Sequence, residues 1–340
     1  MPRLCSSLLL LLLIASPVSG VTIDWVTIGN PGNPSDTEVM IDGTTGYGAV
    51  PYIYRISKYE ITNAQYAEFL NAVADTDTHS LYNPNMGNAA PSNTGRGGIT
   101  RIGSSGSYTY SVIAGRGNQP VNWVSFLDSL RFANWMHNGQ PTGPQGPTTT
   151  EHGAYTFSGT NFVGTRLLGA QVFVPSDNEW YKAAYYSPTG VYFDYPVGSN
   201  TQTICAAPSG VTNTANCDGG SLFPNDDITD GDVDNLTNVG VFTGSSSPYG
   251  TFDQGGNVFE LTETRDLDGS ANMRGGTFSE LAIALRASTR TGVSFFGDGP
   301  GIGFRLAMIP EPSTGLLVIA GLLGFAVSHR RRNSMRARRA

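Results

Sequence analysis

The chain is poor in the residues that carry most nucleophilic and metal chemistry. Among 340 residues it has three cysteines, four histidines and two lysines, Lys58 and Lys182. No His-Glu-x-x-His motif is present, and Gly-x-Ser-x-Gly does not occur with strand–turn–helix context. These two absences exclude a zincin-type protease and a hydrolase built on a nucleophile elbow.

The cysteines point to a covalent bond between chain segments. Cys5 lies in a leader, which leaves Cys205 and Cys217 in a region rich in loop residues. No histidine lies near either one, so a disulfide is favoured over a copper- or zinc-binding pair.

Residues 273–290, MRGGTFSELAIALRASTR, have the composition expected at the base of a functional site, but they lack the usual reactive side chains. Two glycines precede an aromatic residue, a polar pair, an apolar run and two arginines. The stretch contains no Cys, His or Lys. Any function of this stretch must therefore work without those side chains.

Residues 1–20 are predicted to be a secretory signal peptide. Arg3 gives a short basic start, Leu8–Ile14 an apolar core, and Val18–Gly20 a small-residue cleavage site before Val21. An uncleaved anchor is the alternative. It is disfavoured because a core of about seven residues cannot cross a bilayer that needs ~20.

The C-terminus carries three features in a fixed order. Pro310, Glu311 and Pro312 precede an uncharged, mostly apolar run at 313–328 and a basic end at 329–340. A helix over 313–328 reaches only ~24 Å, against a ~30 Å hydrocarbon core, and the basic end is expected to stay cytoplasmic.

Together these features resemble the PEP-CTERM sorting signal of bacteria, which implies cleavage near Pro310–Pro312 by a membrane exosortase. A plain C-terminal anchor is the alternative. Both predict an exported protein, at the cell surface or outside it, that is tethered to the inner membrane by its C-terminal helix, transiently or lastingly.

The central part of the chain is strongly acidic. Without residues 1–20 and 313–340 it has 13 basic and 27 acidic residues, a net charge of −14. Such a surface repels phosphate backbones and argues against nucleic-acid binding. It is better suited to solubility and to divalent cations.

Residues 21–309 are predicted to form one loop-rich α+β domain. Gly, Ser, Thr and Asn dominate 86–118, 138–165 and 198–250, which indicates long loops. Three helices are predicted after capping sequences that begin at Thr62, Ser125 and Ser176. Short strands are predicted at Val26–Ile28, Tyr52–Ser57, Gln171–Val174 and Phe304–Met308.

Six blocks of this domain resemble the formylglycine-generating enzyme family, also called sulfatase-modifying factors. In chain order they are SKYEITNAQYAEFLNAV (57–73), QPVNWVSFLDSLRFANWM (119–136), FVPSDNEWYKAAYY (173–186), YGTFDQGGNVFEL (249–261), MRGGTF (273–278) and GIGFRLA (301–307). The resemblance implies a fold related to C-type lectins, with little regular secondary structure and with bound calcium.

The resemblance also marks what is missing. Active members hold copper on two cysteines just after the Gly-Gly-aromatic turn, because soft thiolates select Cu(I). This chain has Ser279, Glu280 and the run Leu281–Leu285 there. Copper-dependent formation of formylglycine is therefore not expected, and no catalytic residue is predicted.

Two calcium sites are expected from the resemblance. The first uses side-chain oxygens of Asp253 and Glu260 and main-chain carbonyls of Gly256 and Val258, ligand types that Ca²⁺ prefers. A loop braced by hydrogen bonds without metal is the alternative. The second site would use residues whose assignment is less direct, because the loop lengths differ from the family's: Asn216, Cys217, Asp232 and Asp234.

Two classes of function remain open. The first is a non-catalytic binding or structural module, with an extracellular glycan or a matrix protein as ligand. The second is an enzyme that modifies an exported peptide or glycan through carboxylates. Glu260, Glu263, Asp266 and Asp268 could supply the pair that glycoside hydrolysis needs, although a calcium site or a solvated acidic loop accounts for them more simply.

Overall fold

The computed structural model describes residues 20–90, 95–159, 161–217, 236–266 and 269–310. The predicted signal peptide, apart from Gly20, and the sorting tail after Pro310 lie outside this part of the chain, as do Asp232, Asp234 and Asp268. Within it, no helix is long and apolar enough to cross a membrane.

The three predicted helices are confirmed, and each begins at a reciprocal capping box. The helices are α1 (Asn63–Val73), α2 (Phe126–His137) and α3 (Asp177–Tyr185). At α1, Gln65 N donates to Thr62 Oγ1 (3.3 Å) and Thr62 N donates to Gln65 Oε1 (2.9 Å). The cap satisfies donors that the first helical turn leaves open.

Short strands surround the helices. They are β1 (Trp25–Ile28), β2 (Tyr54–Ser57), β3 (Ile99–Ile102), β4 (Thr109–Val112), β5 (Thr156–Ser158), β6 (Asn161–Val163), β7 (Val172–Phe173), β8 (Ile204–Cys205), β9 (Thr214–Ala215), β10 (Phe259–Arg265), β11 (Ala271–Arg274), β12 (Thr291–Val293), β13 (Ile302–Phe304) and β14 (Ala307–Met308). One sheet has the order β1-β2-β14-β7 and a second the order β12-β11-β10-β13. Strands β3–β4, β5–β6 and β8–β9 pair separately.

The prediction of one strand over Phe304–Met308 is wrong. Strand β13 pairs in parallel with β10, whereas β14 pairs with β2 and β7 in the other sheet. The break falls at Arg305 and Leu306, where the chain passes from one sheet to the other. Because both residues are fully buried, the crossover carries the Arg305 guanidinium into the interior.

Aromatic side chains join α1 and α2 to the end of β13. Phe69 contacts Phe132 edge-on at 5.2 Å between ring centroids, and Phe132 contacts Phe304 at 5.4 Å. Trp135 lies 5.2 Å from Phe69. These offset and edge-on contacts are the favoured aromatic geometries, and they fix the helices against the two sheets.

Candidate functional site

The stretch 273–290 is clamped at both ends by one buried arginine. Arg274 pairs with Asp177 at the start of α3, and its Nη1 donates to the carbonyls of Ala287 (2.9 Å) and Thr289 (3.2 Å). Its guanidinium also lies 4.8 Å from the ring centre of Tyr181. The loop therefore returns to its own starting point.

The two glycines of this stretch are required by close approach and by backbone conformation. Gly275 has φ +96° and Gly276 φ +72°. A Cβ at Gly275 would lie 2.9 Å from the carbonyl oxygen of Gln254, and one at Gly276 would lie 2.9 Å from Cδ1 of Leu285. Only glycine allows the turn to pack this tightly.

The segment after the turn is closed by apolar packing. Ala282–Leu285 is a 3-10 helix in which Ala282 and Leu285 are buried, while Ser279 and Glu280 are exposed. Leu285 belongs to an apolar cluster that also contains Tyr195 and Cys217.

The structure contains the Cys205–Cys217 disulfide, and its position was not foreseen. Sequence order places both cysteines well before residues 273–290, yet Cys217 packs in the cluster with Leu285 and Cys205 lies at its edge. Cys205 and Cys217 thus lie beside the segment where the resemblance expects a cysteine pair. No local pattern predicts this, because the loops before β10 make the contact.

A fully buried ion pair lies where β10 meets the crossover at Arg305. Arg305 Nη2 donates to Glu260 Oε1 (2.6 Å), Arg305 Nε donates to Oε2, and Trp180 Nε1 also donates to Oε2 (2.7 Å). The Arg305 side chain further donates to the carbonyls of Ser57 (3.0 Å) and Phe252 (2.9 Å). Glu260 is therefore tied to both sheets.

Two more carboxylates share this buried region. Burial raises the pKa of Asp253 to about 6, although the backbone N–H of Gly240 donates to its Oδ2 (2.6 Å). Burial, together with the neighbouring charges of Asp253 and Glu260, raises the pKa of Glu60 well above its usual range. Three carboxylates thus share one guanidinium, and the raised pKa values of Glu60 and Asp253 favour the protonated forms of these two. Sequence reasoning missed Glu60, which stands outside any acidic pattern.

Comparison with known proteins decides the family. A model of the sulfatase-modifying factor enzyme 1-like domain matches residues 50–309, more than half of the chain. The chain belongs to this family. The solved structure of CarF is similar to the chain at 18% identity, covers 85% of this chain and 99% of its own, and superposes with a TM-score of 0.51. At that identity it shows the fold alone, and the predicted loop-rich α+β fold is confirmed.

Two further solved structures are similar at lower TM-scores. Treponema denticola variable protein 1 is 16% identical, covers 87% of this chain and 98% of its own, and has a TM-score of 0.49. PvdO from Pseudomonas aeruginosa is 20% identical, covers 85% of this chain and 92% of its own, and has a TM-score of 0.45. No curated protein matches the chain.

The predicted calcium ligands of this sulfatase-modifying factor domain lie in one turn and the start of β10. Asp253 and Gly256 have positive φ, and a Cβ at Gly256 would lie 2.2 Å from the carbonyl oxygen of Asn216. Asn257 N donates to the same carbonyl (2.9 Å). Asn216, expected in a second site, therefore packs on the first turn, whereas Cys217 is in the disulfide.

The oxygens of these residues are of the type that Ca²⁺ prefers, but the carboxylate oxygens are partly engaged in hydrogen bonds. Four lone-pair sites exist on a carboxylate; Glu260 uses three for Arg305 and Trp180, and Asp253 uses one for Gly240. In the part of the chain that the structure describes, no group of three or more His, Cys, Asp or Glu side chains is placed to hold a metal ion. A calcium ion here would therefore depend on main-chain carbonyls as well.

Of the carboxylates considered for glycoside hydrolysis, the three that the structure describes, Glu260, Glu263 and Asp266, are held in ion pairs. Arg166 Nε lies 3.3 Å from Glu263 Oε1, and Tyr155 Oη donates to Glu263 Oε2 (2.6 Å). Asp266 pairs with Arg290. Each of these two carboxylates therefore has a cationic partner within the fold.

Glu263 is expected to make stability depend on pH. Burial raises its pKa to about 7, with the charge of Glu179 adding to the shift. The folded state then holds a proton that the unfolded state releases near pH 4.3, so the free energy of unfolding should fall as pH rises from about 4 to 7. At ~1.4 kcal/mol per pKa unit the loss is at most about 4 kcal/mol.

Glu263→Gln should flatten this dependence in denaturant titrations between pH 4.5 and 7.5. Part of the slope will remain, because burial also raises the pKa of Asp128 and of Asp253 to about 6. Equal slopes for wild type and variant would show that Glu263 is ionised throughout the range.

Proposed function

We propose that this sulfatase-modifying factor domain is an exported, non-catalytic binding or structural module of the cell surface or extracellular matrix. One observation carries the proposal. The segment after Gly275–Gly276 has no cysteine and is filled by Ala282 and Leu285. The only cysteines after the leader are bonded to each other. The oxidase chemistry of the family needs a thiolate pair, and the chain offers none in this state.

A residual enzyme is the second candidate, and the disulfide favours it. If Cys205–Cys217 were reduced, two thiols would lie beside the segment that carries the metal ligands in active members. Against this, Cys217 is fully buried, and among its cluster neighbours Tyr195, Ala215 and Leu285 the only titratable side chain is Tyr195, whose pKa is raised by burial. A structural disulfide, which joins the loops beneath the 3-10 helix, explains the same contact.

Copper content separates the two candidates. Purified protein exposed to Cu(I) and then dialysed should retain far less than one copper per chain. Cys217→Ser is the matched variant, because it removes the thiol pair and leaves residues 273–290 intact. One copper per wild-type chain, lost in the variant, would favour the enzyme.

We also propose a structural calcium ion at the turn before β10. The proposed ligands are Asp253, Gly256, Val258 and Glu260, whose side-chain carboxylates and main-chain carbonyls are the oxygen types that Ca²⁺ prefers. Its role would be to stabilise the turn that supports residues 273–290. The second set (Asn216, Cys217, Asp232 and Asp234) lies partly outside the described residues.

Export is proposed to leave two cuts, one near Gly20 and one near Pro310–Pro312, the second made by an exosortase-type enzyme. Val21 is buried and its N–H donates to Gln140 Oε1 (2.6 Å), so the packed domain already includes the residue after the first cut. The intact mass of cell-surface protein should match a chain without either end. A mass that retains Arg330–Arg332 would favour a plain membrane anchor.

A further inference from the structure

A cavity of about 310 Å³ lies away from the turn and the disulfide. Its wall comes from the loop after α1, the β3–β4 hairpin, the first turn of α2 and the loop after β12. The side chains used below are Asp77, Arg101, Tyr108, Asp128 and Asp298. The volume is at the small end of the range for ligand sites.

Asp128 presents an unused oxygen to this cavity. The side chain is only 7% exposed. Its Oδ2 accepts from Ser125 N (2.9 Å) and Ser125 Oγ (2.6 Å), as part of the α2 cap. Within the described residues no donor reaches its Oδ1. Since this oxygen is not fully buried, it is open to the cavity, and a hydroxyl group of a ligand can donate to it.

On the opposite wall, Asp298 supplies a second hydrogen-bond acceptor and Arg101 supplies a donor that is held in one orientation. Asn83 Nδ2 donates to Asp298 Oδ2 (2.7 Å), while Asp298 Oδ1 has no donor among the described residues. Arg101 lies between the rings of Tyr82 (4.6 Å) and Tyr108 (4.3 Å), pairs with Asp77 (3.1 Å), and remains 25% exposed. The sandwich holds the guanidinium plane in one orientation.

We infer that this cavity binds a neutral, hydroxyl-rich ligand, namely a sugar residue of an extracellular glycan. A hydroxyl can donate to Asp128 or Asp298 and accept from Arg101, so one kind of group satisfies both walls. An anion would meet the carboxylates of Asp128 and Asp298 at the cavity wall. An ammonium group would leave Arg101 unsatisfied and like-charged. Tyr108 and Pro84 offer apolar surface to a sugar ring. The inference rests on the proposed binding function and names its ligand class.

Calorimetric titration of the full chain tests this with neutral tetrasaccharides of glucose, mannose, galactose and N-acetylglucosamine, and with the tetrasaccharide of glucosamine. At least one neutral probe should bind with Kd of about 1 mM or tighter. Asp298→Asn and Tyr108→Ala should each weaken that binding at least tenfold. Glu280→Gln, which removes one exposed charge outside the cavity, should leave Kd unchanged, and melting curves should show that all variants are folded.

Three outcomes would overturn the cavity assignment: no neutral probe binds, both cavity variants bind as wild type does, or only the glucosamine probe binds. Chromatography of the recovered sugars tests the proposed function separately. Cleaved probe would contradict a non-catalytic module even if the cavity variants confirmed the binding site.

Discussion

Replacing Arg305 by methionine is expected to lower the free energy of unfolding by about 3–5 kcal/mol. Arg305 and Glu260 are both fully buried, and the substitution leaves Glu260 without its main partner. Glu60 and Asp253 lie in the same region and also interact with the charge of Arg305, so the substitution removes that charge from all three carboxylates. Equilibrium unfolding in denaturant measures the loss.

Arg286→Met is the matched control for Arg305→Met. Arg286 is 37% exposed and lies 3.3 Å from Glu38 and 3.5 Å from Asp194. Exposed pairs of this kind contribute about 0–1 kcal/mol. A loss below 1 kcal/mol at Arg305 would contradict the account, because it would mean that the Glu260 charge is compensated by another group.

Calcium removal should also lower the stability of the domain substantially. An ion that binds only the native state adds RT ln(1 + [L]/Kd) to stability, about 2.7 kcal/mol at a hundredfold excess over Kd. A chelator should then lower the melting temperature by roughly 5 °C. Glu260→Gln should destabilise the domain, through the lost charge of its pair with Arg305, and should also remove most of the chelator effect.

Glu280→Gln controls for the change in charge and should keep the full chelator response. If Glu260 only braces the fold and no metal binds, Glu260→Gln should still destabilise the domain. Chelation should then leave the melting temperatures of both wild type and variant unchanged. Equal melting temperatures of wild type in calcium and in chelator would contradict the calcium proposal and leave the Arg305 brace as the role of Glu260.

The features that could be predicted from the sequence are local ones. The starts of α1, α2 and α3 follow from capping residues three positions apart, and the structure forms each of these reciprocal bonds. Asp253 and Glu260 are seven positions apart, and they lie in one turn and the strand that follows it, as the resemblance implies. Sequence spacing is informative here because the chain between the partners is short.

The features that were missed depend on contacts between distant segments. Glu60 meets Asn257 across 197 positions (Asn257 Nδ2 to Glu60 Oε2, 2.9 Å). The Cys205–Cys217 disulfide reaches the Ala282–Leu285 segment through tertiary packing alone. The apolar run from Phe304 to Met308 has the pattern of one strand, and it divides because Arg305 enters the interior to meet Glu260.

The most direct measurement of the central claim is mass spectrometry of a Cys-x-Pro-x-Arg peptide incubated with the purified, copper-treated protein in air. The account predicts that the peptide keeps its cysteine, with and without prior reduction of Cys205–Cys217, because no thiolate pair follows Gly275–Gly276. A peptide aldehyde that forms with wild-type protein and not with Cys217→Ser would contradict it, and would show that the disulfide cysteines are a relocated catalytic pair.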